Sequence, residues 1–134
     1  MNSLRAIMAA IGLSISAGAL AGDAFTDAMS EAYPAYRAAL FRTNSKAQAE
    51  SEQAIARTLA AWRELTATYG PTPPAPYDRD AGFAPTLAEI MAVFNAAHQE
   101  IGAGQLAEAH GTLEAARDLM AELRSVDGNL TDGE

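Results

Sequence analysis

Two histidines flank a glycine-containing turn in the second half of the chain. His98 and His110 lie on either side of Gly102-Ala103-Gly104, and the apolar periodicity places both on the inward edges of the helices that this turn joins. In an antiparallel hairpin the two imidazoles would then lie at about one level. Imidazole nitrogens are preferred ligands of Cu(II), Zn(II) and Ni(II). The spacing therefore predicts a metal site.

Carboxylates from the first half of the chain could complete such a site. Glu50 and Glu52 lie near the start of a predicted helix. The loop before this helix and the turn between the two histidine-bearing helices are expected at the same end of the bundle. We therefore predict His98, His110, Glu50 and Glu52 as candidate ligands of a divalent metal ion. The alternative is that each histidine is a half-buried helix residue bonded to water or to a neighbouring carboxylate.

Composition and motifs exclude several other kinds of chemistry. The chain has 134 residues and no cysteine, which excludes disulfides, thiolate metal sites and thioether-linked haem. Seventeen acidic residues stand against nine basic ones, a net charge of −8, and this disfavours nucleic acid, whose phosphates need Lys and Arg. No Gly-x-Ser-x-Gly, phosphate-cradling glycine loop or His-Glu-x-x-His motif occurs. We predict that the protein is not an enzyme.

Residues 1–21 have the layout of a secretory signal peptide. Arg5 precedes an apolar run, and Ala19 and Ala21 are the small residues expected before a cleavage site. The run is shorter than the roughly 20 residues that span a bilayer, so we predict cleavage after Ala21 and no membrane anchor. Cleavage removes one base and no acid, which leaves a mature charge of −9. The mature chain, 22–134, is predicted to be periplasmic.

The mature chain has a helical apolar pattern throughout. Apolar residues recur every three or four positions, and alanine is abundant. Four inward-facing stripes are predicted: Phe25, Met29, Ala32, Tyr36 and Leu40; Ile55, Leu59, Trp62, Leu65 and Tyr69; Leu87, Ile90/Met91, Phe94, Ala97/His98 and Ile101; and Leu106, Ala109/His110, Leu113, Ala116, Met120 and Leu123.

The connections predict how these helices are arranged. A short loop follows the first helix, a proline-rich stretch at 70–85 follows the second, a short turn follows the third, and a polar tail at 125–134 ends the chain. This order predicts an all-α, up-down-up-down antiparallel four-helix bundle in a single domain. Asn44 or Ser45 is predicted to cap the second helix. Pro34 either kinks the first helix or begins a second piece of it.

Three short segments carry a resemblance to a known family. They are Lys46-Ala47-Gln48, Thr72-Pro73-Pro74 and Gly104-Gln105-Leu106-Ala107-Glu108-Ala109. In order and spacing they resemble the periplasmic cytochrome b-five-six-two and cytochrome c-prime four-helix bundles. The resemblance implies a haem b held between a methionine in the first helix and a histidine near the end of the fourth.

The residues that the resemblance assigns to haem are incomplete here. Met29 falls near the first ligand position if one residue is inserted, whereas Arg124 falls close to the position of the histidine. A guanidinium stays protonated and has no free lone pair, so it cannot bind the iron. The Cys-x-x-Cys-His motif of the c-prime type is absent with the cysteines.

Two classes of function follow from the sequence. The leading prediction is an exported, non-enzymatic binding or accessory bundle, with a divalent metal ion or a periplasmic protein as its partner, or a second copy of itself in a homodimer. The alternative is a b-type haem electron carrier in which Met29 binds the iron. The sequence does not choose among a transition metal, calcium or a lanthanide, haem, and no ligand.

Overall fold

The computed structural model describes the backbone of residues 21–131 and the side chains of residues 24–125. Its elements are α1 (Ala21–Asn44), α2 (Gln48–Tyr69), a short 3₁₀ turn (Tyr77–Arg79), α3 (Phe83–Gly102) and α4 (Leu106–Thr131). No strand occurs in this range, so the all-α prediction is confirmed. The predicted leader lies outside the described residues except for Ala21. No helix in the described part of the chain is long and apolar enough to cross a membrane.

Each helix packs against two neighbours in a closed ring. α1 contacts α2 and α4, and α3 also contacts α2 and α4. The Phe25 ring near the start of α1 lies 5.4 Å from that of Tyr69 at the end of α2 and 5.1 Å from that of Phe83 at the start of α3. These three helix ends therefore lie together. Since short turns join α1 to α2 and α3 to α4, the predicted up-down-up-down bundle is confirmed.

The predicted apolar stripes form the core. Phe25, Met29, Ala32, Tyr36 and Leu40 are all buried. Their four-three-four-four spacing keeps them on one side of a helix with 3.6 residues per turn. Apart from the positions where the sequence left two adjacent residues as alternatives, the stripes of α2, α3 and α4 are buried in the same way, except for Tyr69 at the end of α2, which is half-buried.

At two positions of α3 the sequence left two adjacent residues as alternatives for the buried stripe. In each pair the aliphatic side chain is the buried one. Ile90 and Ala97 are fully buried, while Met91 is half-buried and His98 is exposed. Burying an imidazole without a hydrogen-bond partner costs free energy, whereas burying a methyl group is favourable. The prediction that His98 lies on an inward edge is therefore wrong.

An aromatic cluster fixes the proline-rich connection to the bundle. Tyr77, in the 3₁₀ turn, is buried with its ring 4.8 Å from that of Phe25 and 5.0 Å from that of Phe83. The Tyr77 and Phe25 rings meet edge-on, an arrangement that aromatic quadrupoles favour. The connection is shorter than the predicted 70–85 because α3 begins at Phe83. Pro85 lies in the first turn of α3, where its missing N–H costs no intrahelical bond.

The loop between α1 and α2 differs from the predicted cap. The N-cap of α2 is Ala47, without a side-chain cap. The Ser45 hydroxyl instead donates to the carbonyl of Phe41, at 2.9 Å, and so satisfies the end of α1. Lys46 takes a positive φ of 58°, which turns the chain sharply. The cap prediction failed because these residues close one helix rather than open the next.

The sequence left the role of Pro34 open, and it placed the end of the fourth helix too early. Pro34 lies inside an unbroken α1 and is exposed, so it does not begin a separate helix. α4 continues to Thr131, beyond the predicted start of the polar tail at Ser125. No proline follows Leu123 to stop the helix.

Candidate functional site

The four predicted metal ligands do not come together. His98 is exposed on α3, and Glu50 and Glu52 are exposed in the first turns of α2. Glu52 accepts a hydrogen bond of 2.9 Å from the Gln48 amide. Within the described residues no three His, Asp or Glu side chains form a group that could hold a metal ion. The predicted four-residue site is therefore not assembled in this part of the chain.

His110 connects α4 to α1. Its Nδ1 lies 3.0 Å from the carbonyl oxygen of Leu40 and 3.3 Å from Oγ1 of Thr43, and its Nε2 lies 3.0 Å from Oε1 of Glu114. The Leu40 carbonyl can only accept a hydrogen bond, so Nδ1 is the donor in that contact. The half-buried imidazole thus joins α4 to α1. Its contact with Glu114 agrees with the alternative interpretation of the sequence, in which the histidine bonds to a neighbouring carboxylate.

An open groove lies beside His110 along the contact between α1 and α4. It measures about 240 Å³ and is lined by Tyr33, Arg37, Leu40, Phe41, Asn44, His110 and Arg117. We call it the α1/α4 groove. Phe41 is 62% exposed, which sets it apart from the other large hydrophobic side chains of the described residues. The Phe41 ring therefore lies exposed at the edge of the groove.

The groove is strongly cationic for such an acidic protein. Arg37 and Arg117 line it, while the guanidinium of Arg42 lies 5.3 Å from the ring centroid of Phe41 and that of Arg124 lies 5.2 Å from that of Tyr33. These four arginines are half of the eight basic residues of the mature chain. In the described region none of the four forms an ion pair with a carboxylate.

The residues that line this groove are regularly spaced in the sequence, but the overall acidic charge of the chain drew attention away from its arginines. His110, Arg117 and Arg124 are seven residues apart along α4, and Arg37 lies four residues from both Tyr33 and Phe41 along α1. Such intervals place side chains on one face of a helix. The pairing of those two faces could not be read from the sequence.

Tyr36 lies beneath the groove and joins the same two helices. It is fully buried, and its hydroxyl donates to the carbonyl of Leu113 at 2.6 Å. Burial raises the pKa of Tyr36 to about 12, although the nearby Arg117 guanidinium opposes the rise. Desolvation of the phenolate therefore outweighs its attraction to the arginine.

Tyr36 predicts a loss of stability at alkaline pH. The folded state keeps the phenol proton up to about pH 12, while the unfolded chain loses it above its ordinary pKa of about 10. The contribution of Tyr36 to the free energy of unfolding is thus constant below pH 10. It falls by about 2 kcal/mol as the pH rises from 10 to 12. Urea unfolding at pH 8, 10, 11 and 12 should show this loss in the wild type and not in Tyr36→Phe. Equal losses in both proteins would contradict the assignment.

The residues at the predicted haem position do not fit a b-type haem. Met29 is 1% exposed within the core, and it lines neither the α1/α4 groove nor the larger groove of about 450 Å³ between α1 and α2. The rings of Phe25, Tyr77 and Phe83 pack together at the same end of the bundle. On α4, Arg124 stacks on Tyr33 and supplies no ligand atom for iron.

No protein-family model, curated protein or solved structure matches this chain.

Proposed function

We propose that the protein is an exported, non-enzymatic binding protein that holds an anionic group of its ligand in the α1/α4 groove. The observation that carries this proposal is the set of four arginines around two aromatic rings, without carboxylate partners among the described residues. Neighbouring guanidinium groups repel one another, and a carboxylate or phosphate relieves that repulsion through bidentate hydrogen bonds.

The filled interior favours a ligand on the outer surface. Met29, Tyr36, Trp62 and Phe94 are at most 1% exposed, so the bundle carries apolar side chains where a bundle cofactor would lie. Admitting a haem would require several of these side chains to move out of a packed core, at a cost of several kcal/mol. The haem electron carrier therefore has less support than a surface-binding protein.

A divalent metal ion at His110 is the second candidate. The Nδ1 of His110 is engaged by a backbone carbonyl while Nε2 faces Glu114, and this arrangement is common for metal-binding histidines. Two ligands four residues apart on one helix could hold Zn(II) or Cu(II) weakly. Arg37 and Arg117 line the same groove, however, and their positive charges repel a cation. The groove therefore favours an anion.

An NMR titration tests the proposed function. Poly-L-glutamate is added to the ¹⁵N-labelled protein, and we expect the resonances of Arg37, Phe41 and Arg117 to shift, since these residues line the groove. Poly-L-lysine at the same charge concentration is the control, and we expect it to shift resonances on the acidic faces instead. Separate titrations with ZnCl₂ and haemin test the other candidates.

Three results would contradict the proposal. The first is an unchanged groove spectrum with poly-L-glutamate. The second is a stoichiometric Soret band with haemin that is lost in Met29→Ala, which would support the electron carrier. The third is tight Zn(II) binding that His110→Gln abolishes while the anion has no effect, which would support the metal site.

A further inference from the structure

We infer that the ligand is an acidic segment of a partner protein, bound in extended form along the α1/α4 groove with the pattern acid-x-acid-x-aromatic. The inference rests on the proposed function and specifies its partner. It follows from the shape of the groove, from the spacing of the side chains along α1 and from the distribution of charge.

The shape of the groove favours a peptide over a small molecule. The groove is open and measures about 240 Å³, whereas sites that enclose small ligands are concave and usually occupy about 300–1,000 Å³. Its side chains are of the kinds that dominate protein interfaces: arginines, a tyrosine and a phenylalanine. Recognition of acidic motifs by arginine clusters is a recurring mode of peptide binding.

The spacing along α1 matches an extended chain. Tyr33, Arg37 and Phe41 follow one another at intervals of four residues, which is about 6 Å along a helix axis. In an extended peptide, side chains two residues apart lie on the same side and are separated by about 6.6 Å. Three alternate side chains of a five-residue segment can therefore lie opposite Tyr33, Arg37 and Phe41 in turn.

The charges assign a chemical type to each of these three positions. Arg124 stacks on Tyr33, so a carboxylate fits there. Arg37 and Arg117 line the middle of the groove from opposite helices, so a second carboxylate fits between them. At the third position the Phe41 ring is 62% exposed beside the Arg42 guanidinium, so an aromatic side chain can pack against both the ring and the guanidinium.

The overall charge of the protein makes this face selective. The mature chain carries a net charge of −9, so an acidic segment is repelled elsewhere and attracted only where arginines cluster. Glu114 borders the groove through its bond to His110 and opposes the segment. Glu114→Gln should therefore tighten binding several-fold.

Calorimetric titration with two peptides of equal composition tests the inference. The first, Ac-Glu-Ser-Glu-Ser-Phe-NH₂, carries the proposed pattern, and the second, Ac-Glu-Phe-Ser-Ser-Glu-NH₂, breaks it. We expect the first peptide to bind at least about fivefold more tightly, since only it can contact all three positions at once.

Two double variants with the same change of charge show where the peptide binds. Arg37→Gln/Arg117→Gln should weaken the first peptide by about tenfold or more, since two charge-assisted pairs are lost. Arg57→Gln/Arg63→Gln removes two exposed arginines of α2 and should leave binding within about twofold. All four residues are exposed, so these variants should fold like the wild type, and circular dichroism checks this.

The remaining outcomes each overturn the inference in a recognisable way. Equal binding of the two peptides, or equal losses in the two double variants, would show charge attraction without a defined segment. Absence of peptide binding while poly-L-glutamate still shifts the groove resonances would reject the peptide and leave the proposed function standing. Self-association in sedimentation that Arg37→Gln/Arg117→Gln abolishes would identify the occupant as a second copy of the chain.

Discussion

Phe25→Ala should lower the free energy of unfolding by about 3–5 kcal/mol. Phe25 is fully buried, and its ring contacts the rings of Tyr69, Tyr77 and Phe83 at centroid distances of 4.8–5.4 Å. Removing it leaves a cavity where α1, the end of α2, the connection and the start of α3 meet. Urea unfolding followed by circular dichroism measures the loss.

Phe41→Ala is a matched control because it makes the same chemical change on the same helix. Phe41 is 62% exposed, so we expect its removal to change stability by about 0.5 kcal/mol or less. The same variant should weaken the acid-x-acid-x-aromatic peptide, while Phe25→Ala should leave the α1/α4 groove intact under folding conditions. Similar losses of stability for Phe25→Ala and Phe41→Ala would contradict the described packing.

Trp62 should respond very differently to two substitutions. It is fully buried, its ring lies 5.7 Å from that of Phe94, and its indole Nε1 has no hydrogen-bond partner. Trp62→Ala should cost about 3–5 kcal/mol through the cavity it leaves. Trp62→Phe keeps an aromatic ring and removes a buried N–H without a partner, so it should cost at most about 1.5 kcal/mol.

Circular dichroism is the appropriate probe for both variants. Trp62 is the single tryptophan of the chain, so either substitution removes the tryptophan fluorescence. A cost for Trp62→Phe close to that of Trp62→Ala would contradict the expectation that an aromatic ring at this position preserves most of the packing.

The core was predictable because helical periodicity determines on which side of a helix each side chain lies. The intervals between Phe25, Met29, Ala32, Tyr36 and Leu40 place them on one side of α1 whatever their neighbours are, and all five are buried. Periodicity is less decisive at the edge of a stripe. Ala97 and His98 are adjacent, and only the packing of the neighbouring helices decides which one is buried.

Local chemistry misled the sequence interpretation at the loop after α1. Ser45 has the side chain of an N-cap, but its hydroxyl bonds to the last turn of α1. A serine hydroxyl can bond at either end of a helix. Here Ser45 bonds to the end of α1, and the chain turns after it at Lys46, which has a positive φ. A single sequence offers no sign of that backbone conformation.

The groove could be predicted only in part, because its two sides lie far apart in the chain. Arg37 and Arg117 are on the first and fourth helices, and a net charge of −8 for the whole chain concealed the local excess of arginine. The spacing of each face was readable from the sequence. Their meeting depends on the contact between α1 and α4, which comes from the fold.

Intermolecular nuclear Overhauser effects between the bound peptide and the protein test the central claim most directly. With Ac-Glu-Ser-Glu-Ser-Phe-NH₂ we predict contacts from the peptide phenylalanine ring to the ring of Phe41, and from its first glutamate to Tyr33, both of which line the α1/α4 groove. Contacts to Ala28, Leu65 or Tyr69, which line the groove between α1 and α2, would contradict it.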